Sequence, residues 1–387
     1  MLRVGIFIDT YFPMIDGVIN VVHNYAKRMN DDEFEVTVFC PIADKKYRDD
    51  FNYRVVRCKS MKVFFLDYTM PVPKLDRKFQ KILKGSQLDI VHIHSPFGVG
   101  KMGVRYAKKH NIPVIATLHS QFEQDFYRAT HSKCITKSLL KMVMKVFNAC
   151  DECYAVNKRV AEIFKEYGAK RMPGVLYNST DLTPVEDGAA ADRLINETYH
   201  LKEGQPVFLF VGRLTALKNI FLIADALARL NDMDFKMFFV GSGHDEAELR
   251  HRIEKDGIGD KVIMIGRITD RELLKALYHR ANLFLFPSLY DANSLVQIEA
   301  ASQKTPTLFA EGAATSSTVT DGVNGYVAPP DAKQYAEKIK EILSDPESYN
   351  AVSEGALRDL YSTWDDAVQK IKTIYRERID DYRTKKK

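Results

Sequence analysis

The stretch Phe286-Pro-Ser-Leu-Tyr-Asp-Ala-Asn-Ser-Leu-Val-Gln-Ile-Glu-Ala-Ala301 decides how the rest of this chain is read. It follows an apolar run, Ala281-Asn-Leu-Phe-Leu-Phe286, with the length and composition of a buried strand. Pro287 ends that strand, residues 288–294 read as a polar loop, and Leu295, Ile298 and Ala301 then recur with helical spacing. A helix start offers unpaired N–H groups and the positive end of the helix dipole, where phosphate binds readily. Two acids, Asp291 and Glu299, lie eight residues apart across the loop and the first helical turns. Carboxylates there can accept hydrogen bonds from sugar hydroxyls. Strand, loop, helix start and two acids suit a ligand with a phosphate end and a sugar end.

Outward from this stretch, strands alternate with helical patterns in two series. The first has strands at Arg3–Asp9, Phe34–Cys40, Tyr53–Arg57, Asp89–His94, Pro113–Leu118 and Asp151–Val156. Helical patterns run from Val18 to Met29, Leu75 to Leu83, Val99 to Lys109 and Lys158 to Tyr167. The second series has strands at Pro206–Val211, Lys236–Val240, Val262–Arg267 and Pro306–Phe309, with helices over Tyr335–Leu343 and Trp364–Ile379. Such alternation predicts α/β domains, each a parallel sheet wrapped by helices, with ligands at the carboxyl ends of the strands. The domains are expected at 1–180 and 205–363, with 181–204 as a linker region because Asp187-Gly-Ala-Ala-Ala-Asp192 reads as loop.

A chain of 387 residues is long enough for two domains, and 45% hydrophobic with 28% charged residues is the balance of a soluble globular protein. No apolar run approaches the roughly 20 residues of a membrane span. Met1-Leu-Arg-Val-Gly-Ile enters a strand directly, without a secretory pattern, and five cysteines make no disulfide framework, so a cytoplasmic location is expected. Cys150 and Cys153 form one C-x2-C without the second pair that zinc needs and read as buried structural thiols. No metal is expected. A net charge of +5 allows attraction to phosphates or anionic lipid; a nucleic-acid partner is not expected.

Several further residues stand where a ligand would collect. Gly17, in the loop Thr10-Tyr-Phe-Pro-Met-Ile-Asp-Gly-Val18, lets the backbone approach a ligand closely. His119 ends a strand in Ala116-Thr-Leu-His-Ser-Gln-Phe122 and offers an imidazole to a hydroxyl or phosphate oxygen. His92 and His94 alternate with apolar residues, need not share an environment, and read as structural. Arg213 and Lys218 follow the first strand of the second series in Gly212-Arg-Leu-Thr-Ala-Leu-Lys-Asn219. A guanidinium can hold an anion through two N–H groups and an ammonium adds a point charge. Gly241-Ser-Gly243 is a weak G-x-G after another strand.

Taken in order, these motifs resemble glycosyltransferase family 4, retaining enzymes of the GT-B fold, over nearly the whole chain. Asp291-x7-Glu299 resembles the family's E-x7-E, with Asp for the first acid and Ala292-Asn-Ser294 where the family has G-F-G. Gly212-Arg-Leu resembles its G-R-L-x3-K-G, and Val175-Leu-Tyr-Asn-Ser-Thr-Asp181 its V-I-x-N-G-V-D. The resemblance implies two doubly wound, Rossmann-like domains with a cleft between them, acceptor on the first and nucleotide sugar on the second. The last helix, about 364–387, would pack back on the first domain. It further implies hexose transfer, with retention, from a nucleotide-diphosphate sugar to the hydroxyl of a sugar or lipid-linked acceptor, as in cell-envelope glycan or glycolipid synthesis. A UDP-sugar is expected over a GDP-sugar, and no cofactor. Arg213 and Lys218 would hold the diphosphate, Asp291 and Glu299 the donor hydroxyls, and His119 the sugar and the departing oxygen. Asp16, Gly17, Asn293, Ser294 and Leu295 would line the donor, with Gly241, Gly243 and Arg267 toward its nucleoside. A sugar-nucleotide 2-epimerase or a non-catalytic GT-B partner protein are the alternatives.

Two segments bear on location. Leu75–Lys84 sets Arg77, Lys78, Lys81 and Lys84 beside Leu75, Phe79, Ile82 and Leu83, and Phe64-Phe-Leu-Asp-Tyr68 precedes it. In Lys133–Phe147, lysines 133, 137, 141 and 145 oppose a stripe of Ile135, Leu139, Met142, Val143 and Val146. These are either core helices with solvated faces or helices that dock the protein peripherally on the cytoplasmic face of an anionic membrane.

Overall fold

The computed structural model describes residues 1–14, 16–44, 46–62 and 69–385. The aromatic segment Phe64–Tyr68 thus lies outside the described residues. The chain divides into two compact units, Met1–Asn178 with Trp364–Lys387, and Ser179–Thr363.

The elements begin with β1 (Leu2–Phe7), α1 (Gly17–Met29), β2 (Phe34–Pro41), β3 (Arg54–Cys58), β4 (Ser60–Lys62) and β5 (Thr69–Pro71). Then come α2 (Arg77–Gly85), β6 (Ile90–Ile93), α3 (Gly98–His110), β7 (Val114–Leu118), α4 (Phe122–Thr130), α5 (Lys133–Phe147), β8 (Glu152–Ala155), α6 (Lys158–Glu166) and β9 (Gly174–Val175). The second unit holds α7 (Gly188–Tyr199), β10 (Val207–Val211), α8 (Ile220–Ala228), β11 (Lys236–Val240), α9 (Glu246–Lys255), β12 (Val262–Gly266) and α10 (Arg271–Arg280). It continues through β13 (Leu283–Phe286), α11 (Leu295–Ser302), β14 (Thr307–Ala310), β15 (Tyr326–Ala328), α12 (Ala332–Ser344) and α13 (Pro346–Leu360). The final helix, α14 (Trp364–Thr384), belongs to the first unit.

The first unit's main sheet runs β3-β2-β1-β6-β7-β8-β9, all parallel, and the second's runs β12-β11-β10-β13-β14-β15, also parallel. Strands covered on both faces read as continuous apolar runs, and these do: Val4, Ile6 and Phe7 in β1, Phe208, Leu209 and Phe210 in β10, Leu283, Phe284 and Leu285 in β13 have no exposure. Strand order reverses between β1 and β6 in one unit and between β10 and β13 in the other. Beyond the carboxyl ends of such strands the two flanking connections diverge and leave a crevice. Helix α14 buries Trp364, Val368, Ile371, Tyr375 and Ile379 in the first unit. Its Lys372 pairs with Asp31, and Arg376 grips both oxygens of Glu33 at 2.6 Å.

Three expectations change. Residues 181–204 are not a connecting stretch: they contain α7, which packs Ala191 and Ile195 into the second unit's core. Asp187, read as loop, is its N-cap, accepting from the Ala190 N–H at 2.9 Å, and the alanines are its first turn. Leu75 is not on the apolar face of α2; it closes a short 3-10 turn before the N-cap Asp76 and is 72% exposed. In α5 the buried side chains are Thr136, Leu140, Val143, Met144, Val146 and Phe147, whereas Ile135 and Met142 are exposed. At 100° per residue, Ile135, Leu139 and Met142 lie roughly a third of a turn from the buried stripe.

Candidate functional site

At the reversal point of the second unit, the connections after β10 and β13 carry most of the residues expected to hold a donor. Arg213, two residues beyond β10, is exposed and has no side-chain partner among the described residues. Lys218 ends a single 3-10 turn, and its Nζ lies 2.5 Å from Asp291 Oδ1 and 5.8 Å from the centre of the Phe286 ring. Both partners are largely withdrawn from solvent, at 13% and 17% exposure. The cation expected for the diphosphate and the acid expected for the sugar are therefore one ion pair.

Helix α11 begins as the sequence suggests, and Leu295 opens it. Ser294 is its N-cap, with its hydroxyl accepting from Gln297 N–H at 3.4 Å, while Ser294 N–H donates to Asn293 Oδ1 at 2.9 Å. Both bonds brace the loop at the start of the helix. Glu299 lies one turn further on. It accepts from the Tyr278 hydroxyl at 3.0 Å and from Arg271 Nη1 at 3.4 Å, and Arg271 Nη2 reaches Asp181 Oδ1 at 2.5 Å. Burial raises the Glu299 carboxyl above its ordinary value, with Arg271 and Tyr278 opposing the shift. The two acids of the central stretch thus sit in separate ion pairs. Arg271 and Tyr278 were not singled out from the sequence; their spacing, seven residues on one face of α10, was the available signal.

The G-x-G after β11 has a packing reason. A Cβ on Gly241 would lie 1.9 Å from the Gly212 carbonyl oxygen, and one on Gly243 would lie 2.1 Å from that of Leu214. Gly241 also has φ of +129°. These glycines let the loops after β10 and β11 stack backbone on backbone. Arg267, just past β12, is exposed and unpaired among the described residues.

In the first unit, Asp16 caps α1 by accepting from Ile19 N–H at 2.8 Å. Gly17 is the first helical residue, and a Cβ there would meet nothing within 4 Å, so packing does not demand glycine. His119 stands one residue past β7, half-buried, with Nε2 2.9 Å from His94 Nδ1. Here the reading of the histidines is corrected. His92 and His94 are two apart on a strand and so share a face, with ring centres 4.1 Å apart. His92 bridges the Tyr375 hydroxyl and Thr117 Oγ1, each at 2.7 Å. Burial pushes His92 and His119 down to about 3 and His94 well below its usual value, so all three are neutral at pH 7. Asp9, past β1, is a further buried group that sequence reading missed. It accepts from Ser95 Oγ at 2.7 Å and from the N–H groups of Phe97 at 3.0 Å and Val99 at 2.6 Å, which fixes the start of α3.

Two family models cover most of the chain: glycosyltransferase family 4 over residues 15–183 and glycosyl transferases group 1 over residues 192–359. An alpha-monoglucosyldiacylglycerol synthase of Streptococcus pneumoniae is 24% identical over 369 residues, covering 89% of this chain and 83% of that protein. Among solved structures, the fold is shared with sucrose-phosphate synthase of Thermosynechococcus elongatus (TM-score 0.78, 19% identity, 97% of this chain and 99% of that one). It is shared too with Anabaena HepE in complex with UDP-glucose (TM-score 0.76, 17% identity, 97% and 100%). The GT-B class, two parallel-sheet α/β domains, is the class expected from the sequence. These comparisons lend no support to the 2-epimerase alternative.

Proposed function

The chain belongs to the glycosyltransferases of family 4, and on that premise we propose that it moves a hexose, with retention, from a UDP-sugar to a lipid acceptor hydroxyl. The observation that carries the reading is the pair of cations at the carboxyl end of β10, Arg213 open to solvent and Lys218 2.5 Å from Asp291 beside the start of α11. A leaving diphosphate gains negative charge as the glycosidic bond breaks, and preplaced cations stabilise that charge most in the transition state. In this reading Lys218 exchanges Asp291 for a phosphate oxygen, which releases the Asp291 carboxylate to a sugar hydroxyl. Glu299, held by Tyr278 and Arg271, accepts from another donor hydroxyl. His119 donates to the sugar or the departing oxygen.

The donor and acceptor are proposed from the relatives. A monoglucosyldiacylglycerol synthase takes its name from glucose and diacylglycerol, and HepE was solved with UDP-glucose. An alpha product made from an alpha-configured nucleotide sugar is retention. We further propose that no divalent ion takes part, since Arg213 and Lys218 meet the diphosphate charge; full activity in excess chelator is the expected result. Location at an anionic membrane is proposed from α5, whose Lys137, Lys141 and Lys145 lie exposed beside Ile135 and Met142. No helix among the described residues is long and apolar enough to cross a membrane.

A panel of nucleotide sugars scored by thermal shift, followed by release of the nucleoside diphosphate in micelles with and without diacylglycerol, tests the reading. UDP-glucose should stabilise the protein, and UDP release should rise when diacylglycerol is added. Equal release without acceptor, or stabilisation by no nucleotide sugar, would overturn it; the latter favours a non-catalytic protein.

A further inference from the structure

We infer that His94 is a positioning residue that sets the tautomer of His119, donating from its Nδ1 to His119 Nε2 so that His119 carries its own proton on Nδ1. This rests on the reading of His119 as a donor-facing group, and it adds which ring atom of His119 acts and what holds it.

The geometry leaves two arrangements. His94 Nδ1 and His119 Nε2 are 2.9 Å apart, with the ring planes inclined by 20° and the centres 5.2 Å apart, so the two rings meet edge to edge along the hydrogen bond. One nitrogen must donate and the other accept, because both rings are neutral. If His119 Nε2 were the donor, His94 would carry its proton on Nε2. That atom is fully buried and has no hydrogen-bond partner in the structure. The result would be a side-chain N–H dipole enclosed without an acceptor, which bears the full desolvation penalty of an unmade hydrogen bond. If His94 Nδ1 donates, its Nε2 is a bare lone pair and no buried N–H is orphaned. The second arrangement then fixes His119 as the Nδ1–H tautomer. His119 is half-buried and its Nδ1 has no partner among the described residues, so this N–H can reach water or a ligand oxygen.

The surrounding packing makes the arrangement rigid. His92, 4.1 Å from the His94 ring, is held at both nitrogens by Tyr375 and Thr117, and Tyr25 abuts His94 edge-on with ring centres 6.1 Å apart. His119 therefore presents a neutral N–H donor, a group suited to a sugar hydroxyl or phosphoryl oxygen and unable to act there as a base. An imidazole freed from His94 would divide between two tautomers, only one of which has the donor in place.

The first measurement needs no substrate. Long-range proton–nitrogen spectra of the full chain labelled with 15N-histidine, assigned with His94→Asn and His119→Asn, report which nitrogen of each ring is protonated. Protons on Nδ1 of both rings are expected; a proton on Nε2 of His119 overturns the inference. The second measurement follows UDP release from UDP-glucose in diacylglycerol micelles. Asn places its amide nitrogen where Nδ1 of histidine lies, and Gln near Nε2. His94→Phe and His94→Gln should lower kcat about tenfold with donor KM within twofold, and His94→Asn should restore most of it. Equal losses in all three variants, tracking their melting temperatures, would mean a merely structural role and overturn the inference. So would a His94→Phe enzyme at wild-type rate while His119→Ala is slow. Wild-type kcat in His119→Ala would instead sink the reading of His119, leaving the tautomer to the spectra.

Discussion

Arg213 and Lys218 are both cations at the end of β10, but they stand in different surroundings, and the same truncation should have different effects. Arg213 is exposed and unpaired among the described residues, so Arg213→Ala removes only what the side chain does for a ligand. The expected loss in kcat/KM is about 100-fold, on the order of 2–4 kcal/mol, with the unfolding midpoint unchanged. Lys218 also neutralises Asp291 in a largely enclosed pair. Lys218→Ala should therefore cost a similar rate factor and in addition destabilise the fold by about 1–3 kcal/mol, from a carboxylate left without its cation. Steady-state kinetics with denaturant titration of each variant checks both. Rates within threefold of wild type in both would refute the assignment. The placement of these two cations after β10 was legible because Gly212-Arg-Leu resembles the family's G-R-L-x3-K-G directly after an apolar strand. His94 was not, since its role depends on a partner 25 residues away on a neighbouring strand, which no local pattern records.

The helices show what periodicity can and cannot decide. It located α5 correctly, because lysines every four residues leave no other regular structure, yet it merged two apolar stripes into one. Val143 and Val146 face the core with Leu140 and Phe147, whereas Ile135 and Met142 are exposed beside the lysines. Spacing alone cannot distinguish a wide buried face from a buried face with an apolar ridge next to it; only the packing of neighbours such as Phe122 of α4 and Phe164 of α6 against Phe147 does. Helix α7 was missed for the opposite reason: a Gly and three alanines after Asp187 carry no large apolar side chain, although Asp at the N-cap and alanine in the first turn are good helix formers. The exposed ridge of α5 supports a prediction at this scale. Each Lys near an anionic surface contributes about 1 kcal/mol, screened by salt. The protein should float with acidic liposomes at low salt and release as salt rises. Replacing Lys133, Lys137, Lys141 and Lys145 with Ser should weaken binding, and so should Ile135→Ser with Met142→Ser. Absence of any binding to acidic liposomes at low salt would make α5 an ordinary surface helix.

At the scale of the whole molecule, the first unit depends on residues from both ends of the sequence. The only tryptophan, Trp364, is buried where α14 meets Tyr25. Its fluorescence therefore reports on the first unit. A chain ending at Thr363 should lose the folded first unit, because α14 supplies Tyr375 to His92, Lys372 to Asp31 and Arg376 to Glu33. The fragment 179–363 should give the dispersed amide spectrum of a folded domain, while 1–178 alone should not; a well-dispersed spectrum from 1–178 would show α14 to be dispensable. The three neutral histidines add a pH dependence. Their folded values lie far below the ordinary 6.5, so the unfolded chain binds more protons between about 3 and 6.5. Stability of the first unit is full above about 6.5 and is lost as pH falls through that range. Between pH 7 and 5, where ordinary carboxylates remain ionised, the denaturant midpoint read by Trp364 should fall, and should fall less in His92→Gln. A flat midpoint in the wild type over that window would contradict the neutral triad.

The return of α14 to the first sheet also sets an order of events on the ribosome. Residues 1–178 emerge first but must wait for a helix encoded after the entire second unit. At about 5–20 residues per second, translating the intervening stretch of about 185 residues takes roughly 10–40 s. Throughout that interval the surface that will receive Trp364, Ile371 and Tyr375 is uncovered, while the second unit can finish folding as a continuous segment. The nascent chain can thus complete the second unit before the first, whose apolar surface stays open until α14 is made.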